Sequence, residues 1–281
     1  MDRRKAGRFS SEFDRAVRAP GLPRVSEDHV AEHDFNRAIL NEVAHRPWPM
    51  PDARWVMSQT WHDLLFAHWP VDAGALRDKV PEEFALDVFD GTAWLGVVPF
   101  RMTNVVPRGV PSLPWISAFP ELNVRTYVRV DDKPGVYFFS LDAGSSLAVQ
   151  TARAWLNLPY YFATMRVKAS GEEIEYDSRR GGDSGLAVLS ATYRPIDPPR
   201  QAIGGSLEYF LTERYCLYHR NRSGAPYRLE IHHPAWPLQR AIAEFTRNTM
   251  GEAAGIWLPD TQPLLHFSRR QDMVAWPPTK L

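Results

Sequence analysis

The residues best suited to chemistry in this chain sit on one short run, Ala118–Val130, "AFPELNVRTYVRV". From Glu121 to Arg129 the odd positions are polar or amphipathic: Glu121, Asn123, Arg125, Tyr127 and Arg129. The even positions Leu122, Val124, Thr126 and Val128 are apolar or β-branched. Successive side chains of a strand point to opposite faces, so this run sets a carboxylate, an amide and a guanidinium along one face. Carboxylates exchange protons and guanidinium groups grip anions. Such a face is either wetted by bulk water or lines a site, and the run by itself leaves both open.

Other constellations carry less. There are nine histidines, but the adjacent His232 and His233 point to opposite faces of any regular strand. His62 and His68 would share a face at roughly 20 Å separation, too far to share an ion. No metal site is expected. "RGGDSG" is a turn between strands rather than a nucleotide loop, because no strand feeds it into a helix. No P-loop, nucleophile elbow or HExxH occurs, and "SGAP" and "GSSL" are ordinary turn and helix-start sequences. The single cysteine, Cys216 in "RYCLYH", excludes an intrachain disulfide and reads as a buried, inert thiol.

These residues have to be positioned by strands. "SQTWHDLLFAHWPV" suits a strand, and "DAGALRDKVP" a short helix capped by Asp72 and stopped before Pro81. "FALDVFDGTAWLGVVPFRMTNVV" reads as a hairpin turning at Asp90–Gly91. After the opening run come a "DDKPG" turn and the strand "VYFFSLDA". A helix over "SSLAVQTARAWLN" follows, with Leu147, Ala148, Thr151, Ala152 and Trp155 on one face. "YYFATMRVKA", "EEIEYDSRR" and "LAVLSATYRP" are strands. "LEYFLTERYCLYHR" reads as a short helix feeding a strand, and "APYRLEIHHP" and "PLLHFSRRQDMVAWPP" are strands. "PLQRAIAEFTRNTM" suits either type. Many strands with few helical inserts predict a mainly β (α+β) fold with a curved or closed antiparallel sheet. Residues 1–50 read as an N-terminal extension with a helix near "SEDHVAEHDFNRAILNEVAHRPWP", capped by Ser26, and residues 51–281 as a single domain.

Composition sets the class of partner. Lys+Arg and Asp+Glu both number 33, so no net charge draws the chain to nucleic acid or an anionic membrane. No signal-peptide core and no run near 18 apolar residues is present, so a cytoplasmic protein is expected. Trp- and Pro-rich stretches such as "RPWPMPDARW" and "VAWPP" suit subunit contacts in a homo-oligomer.

Two segments go beyond general pattern. "VDAGALRDKVPEEFALDVFDG" gives a short helix, an L-R-x-x-V-P step and a strand, and "AVQTARAWLNLPYYF" a helix bearing Arg153 with Pro159 six residues on. Together they resemble the acetoacetate decarboxylase superfamily. Within it, "WHDLLFAHWPVDAGALRDKVP", "FPELNVRTYV", "SLEYFLTERYCLY" and "PLLHFS…VAWPP" resemble the YqjF-like family of uncharacterised proteins, over about residues 50–279. The resemblance implies a closed sheet around a pocket for a small carbonyl or carboxylate compound. Glu121, Asn123 and Arg125 would face the ligand, and Tyr127 and Arg129 would emerge toward the rim.

One departure decides the chemistry. The decarboxylase has two lysines after that proline, the first forming a Schiff base with the keto acid. Here those positions are Tyr160 and Tyr161. Of five lysines, Lys168 is the nearest along the chain, roughly 26 Å away if its strand runs straight. Imine chemistry is therefore not expected, and no cofactor is implied. By the same match His62 stands at the pocket arginine and Arg153 at the helix arginine.

Two functions follow. In the first, Arg153 or Arg125 holds a carboxylate, Glu121 shuttles a proton, and Tyr160 or His62 donates to a developing enolate oxygen. Glu121 and Arg153 pairing structurally would remove that role. In the second, the pocket binds a metabolite without altering it, with Tyr160 and Tyr161 stacking on the ligand.

Overall fold

The structure, a computed structural model, describes residues 35–109, 118–155, 158–181, 186–221 and 223–281. Ser26 and residues 26–34 of the expected N-terminal helix lie outside them, as do residues 182–185 of the "RGGDSG" turn. One compact unit spans Phe35–Leu281. Only a 3₁₀ turn, Arg37–Asn41, forms in the described part of the expected helix. Its Ile39 is buried with Val274 and Trp276. Further on, Arg46 donates to the Ile231 carbonyl at 2.8 Å and Trp48 to Glu230 at 3.0 Å.

The strands are β1 (Met57–Val71), β2 (Ala85–Leu86), β3 (Ala93–Pro107), β4 (Phe119–Val130), β5 (Lys133–Ala143), β6 (Tyr160–Phe162), β7 (Thr164–Ser170), β8 (Glu173–Arg180), β9 (Ala187–Pro195), β10 (Cys216–Arg220), β11 (Pro226–His232), β12 (Gln239–Asn248), β13 (Leu264–Ala275) and β14 (Thr279–Lys280). The helices are α1 (Ala73–Arg77), α2 (Ser146–Trp155), α3 (Leu207–Thr212) and α4 (Met250–Ala253). Asp72 caps α1 through the Ala75 amide at 2.8 Å. On α2, Leu147 is exposed and Val149 is buried instead. The ambiguous "PLQRAIAEFTRNTM" is strand β12.

Seven strands pair in a circuit, β1-β3-β4-β5-β10-β11-β13, returning to β1. Two junctions are short. β5 and β10 pair in parallel through Val136–Leu217 and Tyr137–Tyr218, and β11 meets β13 through Ile231–Ala275 and His232–Val274. The sheet is mostly antiparallel as expected, with β5–β6 a second parallel pair beside β5–β10. Gly135 lets the β5–β10 junction close, since a Cβ there would lie 2.6 Å from the Cys216 carbonyl oxygen. The sheet continues from β13 through β12, β9 and β8 to β7, forming a layer across the outside of the circuit.

Asp90 and Gly91 have φ of 47° and 77°, as a tight Asp-Gly turn requires. The expected hairpin around them is nonetheless a single bridge, Phe89–Thr92, because β2 pairs with β4 rather than with β3. "YYFATMRVKA" is two strands, broken at Ala163.

The core divides by strand face. Leu64, Phe66, Val98, Phe100, Leu141 and Met273 pack inside the circuit. Leu65, Ala67, Val97, Leu122, Val124, Ile174, Leu189 and Phe267 fill the space under the outer layer. From Glu121 to Val128 both faces of β4 are therefore covered, and on its polar side only Arg129 is exposed to bulk water.

A corner in β1 sets which residues look inward. Asp63 has φ 50°, and the β1–β3 register shifts between His62 and Ala67. The Asp63 carboxylate accepts from Arg101 at 2.7 Å and Arg269 at 2.8 Å, and its carbonyl accepts from Tyr193 at 2.8 Å. Inward positions are odd before the corner (Met57, Gln59, Trp61) and even after it (Leu64, Phe66). Among the described residues no helix is long and apolar enough to cross a membrane.

Candidate functional site

Inside the circuit lies a cavity of about 90 Å³, room for on the order of six waters or a small ligand. Trp61, Leu64, Val98, Phe100, Phe138, Leu141, Leu158 and Trp236 make its apolar walls. Its polar groups are Gln59, Glu121, Asn123, Arg125, Tyr160, Thr212, Arg214 and His233.

β4 supplies three of them at alternate positions. Glu121 is buried, and its Oε2 accepts from the Tyr160 hydroxyl at 2.9 Å. Burial pushes the carboxyl up to about 8 against the opposing pull of that hydrogen bond, and the charge of Asp142 adds to the rise. A carboxyl in this state is protonated at neutral pH. Desolvation, then the adjacent carboxyl, raises Tyr160 well above the usual phenol range, so its hydroxyl remains a donor. The Asn123 Oδ1 has no hydrogen-bond partner among the described residues.

Arg125 is half-buried and has no carboxylate partner among the described residues. Its Nη2 donates to the Leu211 carbonyl at 3.2 Å, and its guanidinium lies 5.2 Å from the Phe66 ring centre. Gly96 leaves the space for it: a Cβ there would meet the His68 ring at 3.1 Å and the Arg125 Cγ at 3.3 Å.

Four of the residues singled out in the sequence thus share one cavity: Glu121, Asn123, Arg125 and Tyr160. Three do not. His62 precedes the corner at Asp63, so it faces away from Trp61 and its Nε2 meets Thr103 Oγ1 at 2.8 Å. Arg153 is exposed and donates from Nε to the Tyr160 carbonyl at 2.5 Å, which fixes the β6 backbone. It makes no pair with Glu121. Tyr161 alternates with Tyr160 and points out of the circuit, between the guanidinium groups of Arg180 at 4.2 Å and Arg153 at 5.4 Å. Stacking on a ligand in the cavity is closed to it. Tyr127, expected at the rim, is fully buried, accepts from His68 Nε2 at 2.6 Å and donates to Leu211 at 2.8 Å. Arg129 does reach the surface, paired with Asp87 at 3.2 Å.

Sequence reading missed Arg214, His233 and Trp236. Arg214 is buried and pairs with Asp87 at 2.6 Å. The His233 ring nitrogens lie 3.2 Å from the Arg214 carbonyl and 2.8 Å from the Pro234 carbonyl, and because burial pushes its pKa down to about 4 the neutral ring donates to one of the two. Trp236 stacks on Trp61 with ring centres 5.7 Å apart. All three lie in irregular chain flanking β10 and β11, where no periodicity marks an inward side. No three metal-ligating side chains converge among the described residues.

Known proteins share this chain's sequence and fold. The profile of DUF2071, described as an uncharacterized conserved protein, matches residues 58–272. The uncharacterized protein YqjF of Bacillus subtilis (strain 168) is 49% identical over 228 residues, covering 81% of this chain and 93% of that one. At the level of fold, an acetoacetate decarboxylase from Legionella pneumophila superposes with a TM-score of 0.54 at 13% identity, covering 87% of this chain and 95% of its own. The enduracididine biosynthesis enzyme MppR, complexed with the condensation product of pyruvate and imidazole 4-carboxaldehyde, gives 0.56 at 10% identity, covering 81% and 90%. The profile match and the YqjF identity together establish that the chain belongs to the uncharacterised YqjF-like DUF2071 family, on an acetoacetate decarboxylase-like fold.

Proposed function

We propose that the circuit is a small β-barrel whose cavity takes a small carbonyl or carboxylate compound, and that Glu121 works on it as acid and base without an imine-forming amine. The observation that carries this reading is the buried, hydrogen-bonded Glu121–Tyr160 pair sharing one cavity with an Arg125 that has no carboxylate partner among the described residues. A ligand carboxylate supplies the counter-charge at Arg125. Because Oε2 of Glu121 accepts from Tyr160, the carboxyl proton is favoured on Oε1. From there it passes to the carbonyl oxygen, and the carboxylate left behind takes a proton from the carbon beside the carbonyl, which converts the keto form to the enol and restores the carboxyl. A complex of the structurally similar MppR with pyruvate fits the ligand size. Two features support chemistry without an imine. Among the described residues no lysine lines the cavity, and Lys133 and Lys168 are committed to Glu230 and Glu175. Burial raises the Cys216 thiol to about 11, which suits an inert cysteine in a reducing cytoplasm.

The test is turnover of a panel of α-keto and β-keto acids by the wild type and Glu121→Gln. Glu121 acting as acid and base predicts a loss of about 10²-fold or more in kcat; equal rates would remove it from the chemistry. The second reading, a binding protein that leaves its ligand unaltered, is favoured by the tyrosine standing at the decarboxylase nucleophile's position. It predicts saturable thermal stabilisation by an acid that is recovered intact.

A further inference from the structure

Beside the cavity lies a second one of about 220 Å³, more open to solvent, lined by Asp87, Phe89, Tyr209, Phe210 and Arg214 among others. Arg214 lines both spaces. Helix α3 stands between them: its Thr212 faces the inner cavity, and its Tyr209 and Phe210 face the outer one. A helix of six residues and one arginine side chain are the partition.

The partition is fastened unequally. On its inner side the Leu211 carbonyl accepts from Tyr127 at 2.8 Å and Arg125 at 3.2 Å. On its outer side Arg214 donates to the Phe210 carbonyl at 2.6 Å, lies over the Phe210 ring at 4.2 Å and pairs with Asp87 at 2.6 Å. Beyond the C-terminal end, Glu213 is buried and bonded to the Tyr215 hydroxyl and the Trp236 amide. The N-terminal end is nearer the surface: Ser206 caps the helix through the Tyr209 amide at 3.2 Å, Glu208 lies 3.7 Å from Arg200, and the adjoining Ile203 is 76% exposed. A Cβ at Gly204 or Gly205 would touch nothing, and Gly205 sits at φ 83°. One end is anchored in the interior and the other by exposed contacts, the layout of a flap on a hinge.

We infer that α3 is a door between the two spaces, that ligands reach the inner cavity through the outer one, and that the Arg214–Asp87 pair is the latch. This rests on the inner cavity being the ligand site proposed above. Arg125, which would grip the ligand's carboxylate, also holds the door through Leu211. A ligand competing for that guanidinium loosens the partition, so occupancy and door position are coupled.

Stopped-flow tryptophan fluorescence with pyruvate as probe tests this, because Trp61 and Trp236 line the inner cavity. Asp87→Asn keeps the volume and removes the latch charge. The association rate should rise by about fivefold or more, and the dissociation rate should rise with it, less so to the extent that the freed Arg214 in the inner cavity tightens Kd, since a gate changes both rates together. Phe89→Trp narrows the outer space and should slow both rates by a similar factor, an independent check should the first variant fold poorly. Wild-type rates in both variants would place the route elsewhere while leaving the inner site standing. A changed Kd at an unaltered association rate would assign Asp87 to ligand contact and overturn the door. A wild type that binds neither pyruvate nor acetoacetate would remove the site and the door together.

Discussion

Glu121 is a carboxyl whose folded-state affinity for protons lies far above its ordinary value, and this ties its chemistry to stability. Its pKa rises from 4.5 to about 8 through burial. Between those values the native state holds a proton that the unfolded chain releases, so this group's contribution to stability falls as pH rises through the interval. At about 1.36 kcal/mol per unit the full effect is at most ~5 kcal/mol. Glu121→Gln keeps an acceptor for Tyr160 and cannot ionise. Its denaturation midpoint should match wild type near pH 5 and exceed it near pH 9, as chemical denaturation at the two pH values will show. A wild-type advantage at pH 9 would mean that the fold favours the Glu121 carboxylate and lowers its pKa instead of raising it. The choice of Glu121, Asn123 and Arg125 was legible in the sequence because strict alternation encodes sidedness. The choice of Tyr160 came only from resemblance. Tyr161 lies outside the cavity for a local reason, since it alternates with Tyr160 in a strand three residues long, and Arg153, on α2, is taken up by the Tyr160 carbonyl.

At the scale of elements, alternation predicts a strand's two faces but not where the strand changes sides. The corner at Asp63 is one residue with positive φ inside a long apolar run, and nothing in "TWHDLLF" announces it. That single feature sends His62 outward and cancels the same-face relation to His68 expected of a regular strand. Pairing partners were equally hidden, since β2 joins β4 and β5 joins β10 across long sequence separations. Gly135 is where the β5–β10 junction can be probed. An added methyl would lie 2.6 Å from the Cys216 carbonyl oxygen and 2.7 Å from the Tyr218 ring, distances that force backbone to move. Gly135→Ala should cost about 2–4 kcal/mol in urea denaturation. Gly109→Ala is a weaker comparison despite its open surroundings, because its φ of 82° adds strain of its own. Gly181→Ala has neither problem and should be near neutral.

Across the whole molecule, the buried ionisable groups pull stability in two directions with pH. Burial lowers His68, His219, His232, His233 and His266. These are neutral in the native state and take up protons when unfolded below about pH 6.5, so stability is lost as pH falls toward 4. Burial raises Glu121, Asp142 and Glu213, and these act in the opposite sense. Five groups outweigh three on the acid side, whereas above neutrality Glu121 dominates. The thermal midpoint should therefore peak at about pH 6–7 and decline on both sides, which a calorimetric series from pH 4.5 to 9 will show. A midpoint rising steadily to pH 9 would contradict the assignment of Glu121 as protonated. The ion-paired corner has a last consequence, for how the gene can change. Asp63 and its partner Arg269 make strand length a counted quantity, because the side of the sheet each residue occupies is tallied from that bend. A codon lost between Met57 and Trp61 would not leave a small local gap. It would exchange lining for packing along the whole arm, so this arm should tolerate altered letters far more readily than an altered number of them.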